Sequence, residues 1–338
     1  MGVFLAYANA EEASLIDRRL YLPEAWFSDP QRLSRAGVPK ALTFMTKGQL
    51  AVSMIAQAIA NGVRFDFVGG DCAYGYLPWL RDWLTERRIP YLLEISSETQ
   101  VWLTRPKTAV PKRRKKRGRR PCRRKVVAGE PKPERVSDIA KALSDATWER
   151  ICVRDGEKHP LEWEFCSLLV VTCRGGLPGK EEWLILRRSI SDKTDIKYGF
   201  SNAEKSTPQK THAHRMARRY WVERAIQIGK GGVGMDEYAV RSYQGWHHHM
   251  TMTLLSMMFL LRLRVKLALK APMLTIEDVK EILSVVLPKK AFSPAEVLEL
   301  IEAKHRARAA AKASHHRRYH AKMTSETARG DPPEKEMD

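Results

Sequence analysis

No Cys-x-x-Cys pair occurs in this sequence. Its five cysteines (Cys72, Cys122, Cys152, Cys166 and Cys173) are odd in number and scattered. That pattern excludes a disulfide frame and a cysteine-based zinc site, and it fits a reduced, cytosolic chain. Paired His or Cys ligands at zinc-hydrolase spacing are also missing. His247-His-His249 is the nearest approach, but consecutive residues point around a helix, not to one point. Long apolar runs are absent. Met250 to Leu261 is the longest, is too short to span a bilayer, and holds two threonines and a serine, so it reads as a buried helix. Met1 to Ala10 is apolar but has no basic start and runs into acidic residues, which excludes a secretory signal. There is no internal repeat. Acid is scarce beside base: 39 Asp and Glu against 59 Lys and Arg give a net charge of +20. A polyanionic partner follows, with nucleic acid first and an acidic membrane surface second.

The chain has 338 residues and 43% hydrophobic content, enough for a sizeable core and two domains. Gly2 to Ala8 and Ala13 to Leu22 suggest an antiparallel pair joined at Asn9-Ala10-Glu11-Glu12, followed by an irregular segment through Pro39. Met45 to Ala60 is amphipathic, with Leu50, Met54, Ile55 and Ala58 on one face, and stops at Asn61-Gly62. Val63 to Gly75 reads as strand, then Asp71, then a small-residue turn, which puts Asp71 at the carboxyl end of a strand, where open α/β sheets place ligands. Its plainer role is a helix cap. A helix over Leu77 to Arg88 and a strand over Pro90 to Ser96 come next. Thr104 to Glu134 changes character: Arg113, Arg114, Lys115, Lys116 and Arg117 sit in a nearly all-cationic run that cannot build a core and suits phosphate neutralisation. Val136 to Ala146 is a short helix. Trp148 to Asn202 is then rich in aromatic and β-branched residues between glycine turns. Trp163 and Trp183 in it could contact bases, though packing is the commoner use. A long helix over Trp246 to Lys270 turns from apolar to basic, and helix starts follow at Thr275 and Ser293, the second with a capping box. The last helix is basic (Lys304, Arg306, Arg308, Lys312, Arg317), and a polar tail begins at Gly330.

Met216 to Tyr238 carries the most specific pattern. Trp221, Val222, Ala225 and Ile228 recur at helical steps. Arg219 and Glu223 lie one turn apart on one face, and Lys230 follows about two turns later. Gly229, Gly231 and Gly232 are expected to end the helix and leave Lys230 on the exit loop. A carboxylate framed by two cations suits a metal ion held beside a phosphodiester, with the cations on the phosphates. An amphipathic helix with a surface ion pair is the plainer alternative.

The spacing Arg219-x-x-x-Glu223-x-x-x-x-x-x-Lys230, followed by Gly234-Met-Asp-Glu-Tyr-Ala-Val-Arg-Ser-Tyr-Gln-Gly-Trp-His247, resembles the third acidic motif of the DDE transposases of bacterial insertion sequences, in the branch with a β-strand insertion between the second and third acids. The family tyrosine position is taken by Met216. Asp71, in its strand–Asp–x–x–Tyr–Gly context, resembles the second acid. The resemblance implies an α/β, ribonuclease-H-like core, interrupted by a β-rich insertion and extended by carboxyl-terminal helices. It divides the chain into a first core part (1–100), a basic loop (101–135), the insertion (136–205), core-completing helices with the glutamate (206–270) and a helical basic tail (271–338). It assigns Asp71 and Glu223 as catalytic metal ligands, and Arg219, Lys230 and residues 113–117 as DNA contacts. Two Mg²⁺ or Mn²⁺ ions and cut-and-rejoin phosphoryl transfer on transposon-end DNA are implied, along with target DNA, a homodimer on DNA and a cytoplasmic, nucleoid-associated location. No strand–Asp–Asp–x–x–Gly segment occurs in residues 1–23, and Asp17 lies in a segment similar to the family's third strand. The expectation is therefore a chain lacking the first strand and its aspartate, with weakened metal binding and impaired activity. The rival class is a non-enzymatic basic DNA-binding protein.

Overall fold

The computed structural model describes residues 1–9, 12–111, 122–154, 160–239, 241–288 and 291–329. In chain order the strands and helices are β1 (Gly2–Ala8), β2 (Ala13–Leu20), α1 (Glu24–Phe27), α2 (Pro30–Arg35), α3 (Lys47–Ala60), β3 (Val68–Gly70), α4 (Cys72–Gly75), α5 (Pro78–Glu86) and β4 (Tyr91–Ile95). They continue with β5 (Gln100–Trp102), β6 (Thr108–Ala109), β7 (Lys125–Val126), β8 (Glu134–Arg135), α6 (Val136–Ala142), β9 (Glu149–Arg154), β10 (Leu161–Arg174), β11 (Leu177–Arg188) and β12 (Ile196–Ser201). The helices α7 (Gln209–Ala217), α8 (Arg219–Val233), α9 (Tyr243–Ala268), α10 (Ile276–Val286) and α11 (Pro294–Arg329) complete the chain.

The protein is mixed α/β with a central, mostly antiparallel sheet. The sheet order is β3-β4-β12-β11-β10-β5-β8, with β9 beside β10; among the described strands only β3 and β4 run parallel, Val68 opposite Tyr91. β12 pairs β4 directly, so the strands after residue 148 extend the sheet that carries Asp71. β11 explains the layering. Leu184, Ile185 and Leu186 are all fully buried, although neighbours in a strand face opposite ways. Leu184 and Leu186 join the cluster of Leu80 and Leu84 (α5) and Ile139 (α6), while Ile185 joins Ala213 and Met216 of α7 on the other face. Each such side chain contributes about 1.5–3 kcal/mol by burial. β1 and β2 form a separate antiparallel ribbon. Val3 of β1 packs with Leu50 and Met54 of α3. The chain divides into two compact units, residues 1–280 and 281–338. In the second, Ser293 caps α11, whose basic side chains Lys304, Arg306, Arg308, Lys312 and Arg317 are exposed.

The antiparallel start, the helices at 47–60 and 78–86 and the strand at 91–95 follow the sequence reading. α3 has the full capping box between Thr46 and Gln49. The strand before Asp71 is shorter than expected: only Val68–Gly70 pairs, because Gly62 turns with positive φ and Val68 is the first residue in register with β4. Residues 22–39 are not wholly irregular, since Asp29 caps α2. The glutamate helix is also different. It breaks at Arg218 into α7 and α8, and α8 does not end at Gly229. Gly229 stays helical because Met235 and Met257 press on it so closely that a Cβ would lie 2.9 and 3.2 Å from their sulfurs. The left-handed exit falls at Gly234 (φ +71). Lys230 is therefore an exposed residue of the last helical turn and not a loop lysine. Trp163 and Trp183 are engaged in packing, under Arg187 and against His212 respectively.

His212 gives the fold an acid-sensitive point. It is wholly enclosed, its ring lies 5.3 Å from that of Trp183, and neither ring nitrogen has a hydrogen-bond partner. Burial, reinforced by Arg215, pushes its pKa from the usual 6.5 down to about 4. The folded chain thus refuses a proton that the unfolded chain accepts. This stabilisation is complete above about pH 6.5 and is lost as the pH falls toward 4, at about 1.4 kcal/mol per unit, levelling off below that. His212→Leu should flatten this component. The urea midpoint of wild type should fall relative to that of His212→Leu between pH 7 and pH 4, and parallel curves would contradict the assignment.

Candidate metal and phosphate site

Asp71 follows β3 directly and is the N-cap of α4, its Oδ1 accepting from the Ala73 amide at 2.8 Å. The capping role is thus realised, and it leaves the other carboxylate oxygen for a second partner. The close fit of α4 on β4 depends on Gly75: a Cβ there would lie 1.8 Å from the Glu94 carbonyl oxygen. Arg81, one turn into α5, donates to the Gly75 carbonyl and pins the turn from behind. Asp71 also helps burial push the Tyr74 hydroxyl up to about 12. Burial raises the neighbouring Cys72 thiol, with Glu94 and Asp71 adding to the effect.

Glu223 stands one turn into α8. Arg219 bonds it at 2.6 Å and reaches Glu94 of β4 at 2.9 Å with its Nε. One guanidinium therefore ties two carboxylates, a mostly buried one (Glu94, 15% exposed) and an open one (Glu223, 63%). Burial pushes the Glu94 carboxyl up, against the pull of Arg219, Arg187 and Lys197, while Glu223 raises it further. Asp71, Glu94, Arg219 and Glu223 all line one cavity of about 680 Å³. Asp71 and Glu223, 152 positions apart, are thus brought to a common cavity. Lys230 is not among its lining residues. Residues 113–117 lie outside the described residues.

Glu94 escaped the sequence reading. Its signal was there: a single acid inside Tyr91-Leu-Leu-Glu-Ile95, where every other residue is buried. A strand covered on both faces has no ordinary place for a carboxylate unless a cation meets it.

Carboxylates are the donors that Mg²⁺ and Mn²⁺ prefer, so Asp71, Glu223 and the adjacent Glu94 fit such an ion in kind. In number they fall short. Among the described residues no three His, Cys, Asp or Glu side chains are grouped as a complete ligand set, and Arg219 holds two of the three acids. Nor do the histidines at 247–249 gather: His249 Nε2 meets the Gly234 carbonyl at 2.9 Å, while His247 packs on Tyr243 and Trp246.

An α/β sheet that gathers carboxylates and guanidinium groups at one strand end is a framework for handling phosphate esters. A match to the family model described as DDE superfamily endonuclease covers residues 1–160 of this chain. It includes Asp71 and Glu94 and stops short of Glu223. The family points to nuclease or transposase-type activity with DNA as substrate, and its nucleases generally use divalent metals. No curated protein matches the chain. Among the described residues, no helix is long and apolar enough to cross a membrane.

Proposed function

We propose that this chain is a transposase of the DDE branch with a β-strand insertion, in which Asp71 and Glu223 are the second and third acids. The observation that carries the reading is that the two line one cavity at the start of α8, together with Glu94 and Arg219. The β-rich segment 136–205 is the insertion, and residues 206–270 complete the ribonuclease-H-like core. The acid-bearing first strand of that core is not among the described strands. Asp71 and Glu223 would hold a divalent ion, and such an ion would supply Lewis-acid stabilisation of charge at phosphorus. The chain's own groups do the rest. Arg219 orients Glu223 and offers guanidinium protons to a phosphate, Lys230 adds a positive charge on the same helix, and the cationic run at 113–117 neutralises DNA backbone without reading bases.

A second reading rests on the ion pairs themselves. Arg219 pairs with one oxygen each of Glu94 and Glu223, and Asp71 caps α4, which supports a reading of the acids as structural in a non-enzymatic DNA-binding protein. Mn²⁺ titration of the full chain, followed by electron paramagnetic resonance, separates the two. The metal reading expects saturable binding that Asp71→Ala and Glu223→Ala each weaken by at least about tenfold, roughly 1.4 kcal/mol. Binding that neither substitution changes favours the structural reading.

A further inference from the structure

Glu94 is an odd residue for its strand. It belongs to β4, which is paired on both sides, and its neighbours Leu93 and Ile95 are core residues. A mostly buried carboxylate is unfavourable there unless cations meet it. Three do. Arg219 Nε lies 2.9 Å from its Oε2, and Arg187 of β11 and Lys197 of β12 add their pull. These two cations stand opposite each other in the sheet. The residue opposite Glu94 on β12 is Gly199, which has no side chain to cover it.

The two acids hold Arg219 unequally. Glu94 is rooted in the sheet. Glu223 is open to solvent and meets Arg219 Nη2 as an i,i+4 pair on the helix surface, an arrangement that holds little by itself. These contacts use Nε and one terminal nitrogen of the guanidinium. Once Glu223 turns to another partner, the Glu94 contact still keeps the guanidinium in the cavity, and both terminal nitrogens are then available. They form the fork that matches two oxygens of a phosphate. Without Glu94, three cations would share one place with no counter-charge. Arg187 is fixed by its stack on Trp163, 4.6 Å away, so Arg219, 32% exposed, is the one to swing out.

We propose that Glu94 is a positioning residue for phosphate binding: it fixes the Arg219 guanidinium so that this group grips a backbone phosphate of the DNA, and does not touch that phosphate itself. The inference rests on the phosphate role given to Arg219 above, and not on the metal. It also fixes the sign of an effect. An acid beside a polyanion repels it, so removing a bystander acid should tighten binding. Removing a positioning acid should weaken it.

The test is binding of a short fluorescein-labelled DNA duplex to the full chain, followed by anisotropy in EDTA over a range of salt. Glu94→Leu should weaken binding by about fivefold or more and lower the slope of log affinity against log salt by about one, the loss of one phosphate contact. Arg219→Leu should do the same, and the double variant should be no weaker than either single one. Glu94→Gln keeps the shape without the charge and should also weaken binding, which covers the case in which Glu94→Leu does not fold. Unchanged or tighter binding by Glu94→Gln, or losses that add in the double variant, overturns the inference. If Arg219→Leu binds as wild type does, the phosphate role of Arg219 falls and this inference with it. If Arg219→Leu loses affinity and neither Glu94 variant does, only this inference falls.

Discussion

Glu182→Ala is expected to lower the free energy of unfolding by about 3–5 kcal/mol, the cost of leaving a buried charge without its partner. Glu182 of β11 is 3% exposed and Arg81 of α5 is 4% exposed, with Nε and Oε2 2.9 Å apart. Tyr91 donates to Glu182 Oε2 at 2.7 Å, and Arg174 reaches Oε1 at 3.3 Å. Arg174 also pairs with Asp82 at 2.6 Å, and Arg81 stacks over Phe200. Removing the carboxylate strands Arg81 in the core and leaves the Tyr91 hydroxyl without its acceptor. A double replacement, Arg81→Met with Glu182→Leu, should be much milder, because a buried ion pair exchanged for apolar groups of similar volume is often nearly neutral. Urea unfolding of both variants checks this. A single substitution within about 1 kcal/mol of wild type would show that water reaches the pair. The network also bears on the site, since Arg81 holds the Gly75 carbonyl behind Asp71.

Gly75→Ala should cost about 3 kcal/mol, at the upper end of overpacking penalties. Its Cβ would overlap the Glu94 carbonyl carbon and oxygen, at 2.8 and 1.8 Å. Those are backbone atoms of a central strand paired on both sides, so no side-chain rotation relieves the clash. α4 must lift from β4, and Asp71 moves with it. The expected result is a lower unfolding midpoint together with weakened Mn²⁺ binding. Normal binding in a destabilised protein would mean that Asp71 does not depend on the α4 seat.

Much of the frame was legible in the sequence. The amphipathic face of Leu50, Met54, Ile55 and Ala58, and the capping box of Ser293 with Glu296, announced helices that are present, and the aromatic and β-branched residues between the glycine turns announced β structure over 161–188. The pattern from Val63 to Gly75, strand then acid then small-residue turn, placed Asp71 at a strand's end, where it stands. What failed was decided by tertiary packing. Three glycines looked like a helix stop, yet Met235 and Met257 hold Gly229 inside α8. The joining of β12 to β4 could not be read locally, since pairing partners 100 residues apart leave no local signal. Glu94 was passed over because a lone acid in a strand looks incidental until Arg219, from another element, is found against it.

The central claim is that Asp71 and Glu223 share one divalent ion. Crystals of the full chain soaked in Mn²⁺ test it most directly through anomalous scattering. The account predicts a peak within about 2.0–2.6 Å of a carboxylate oxygen of each residue, with Glu223 released from Arg219. A map with no peak between them, and with the Arg219–Glu223 pair intact at saturating Mn²⁺, would contradict it.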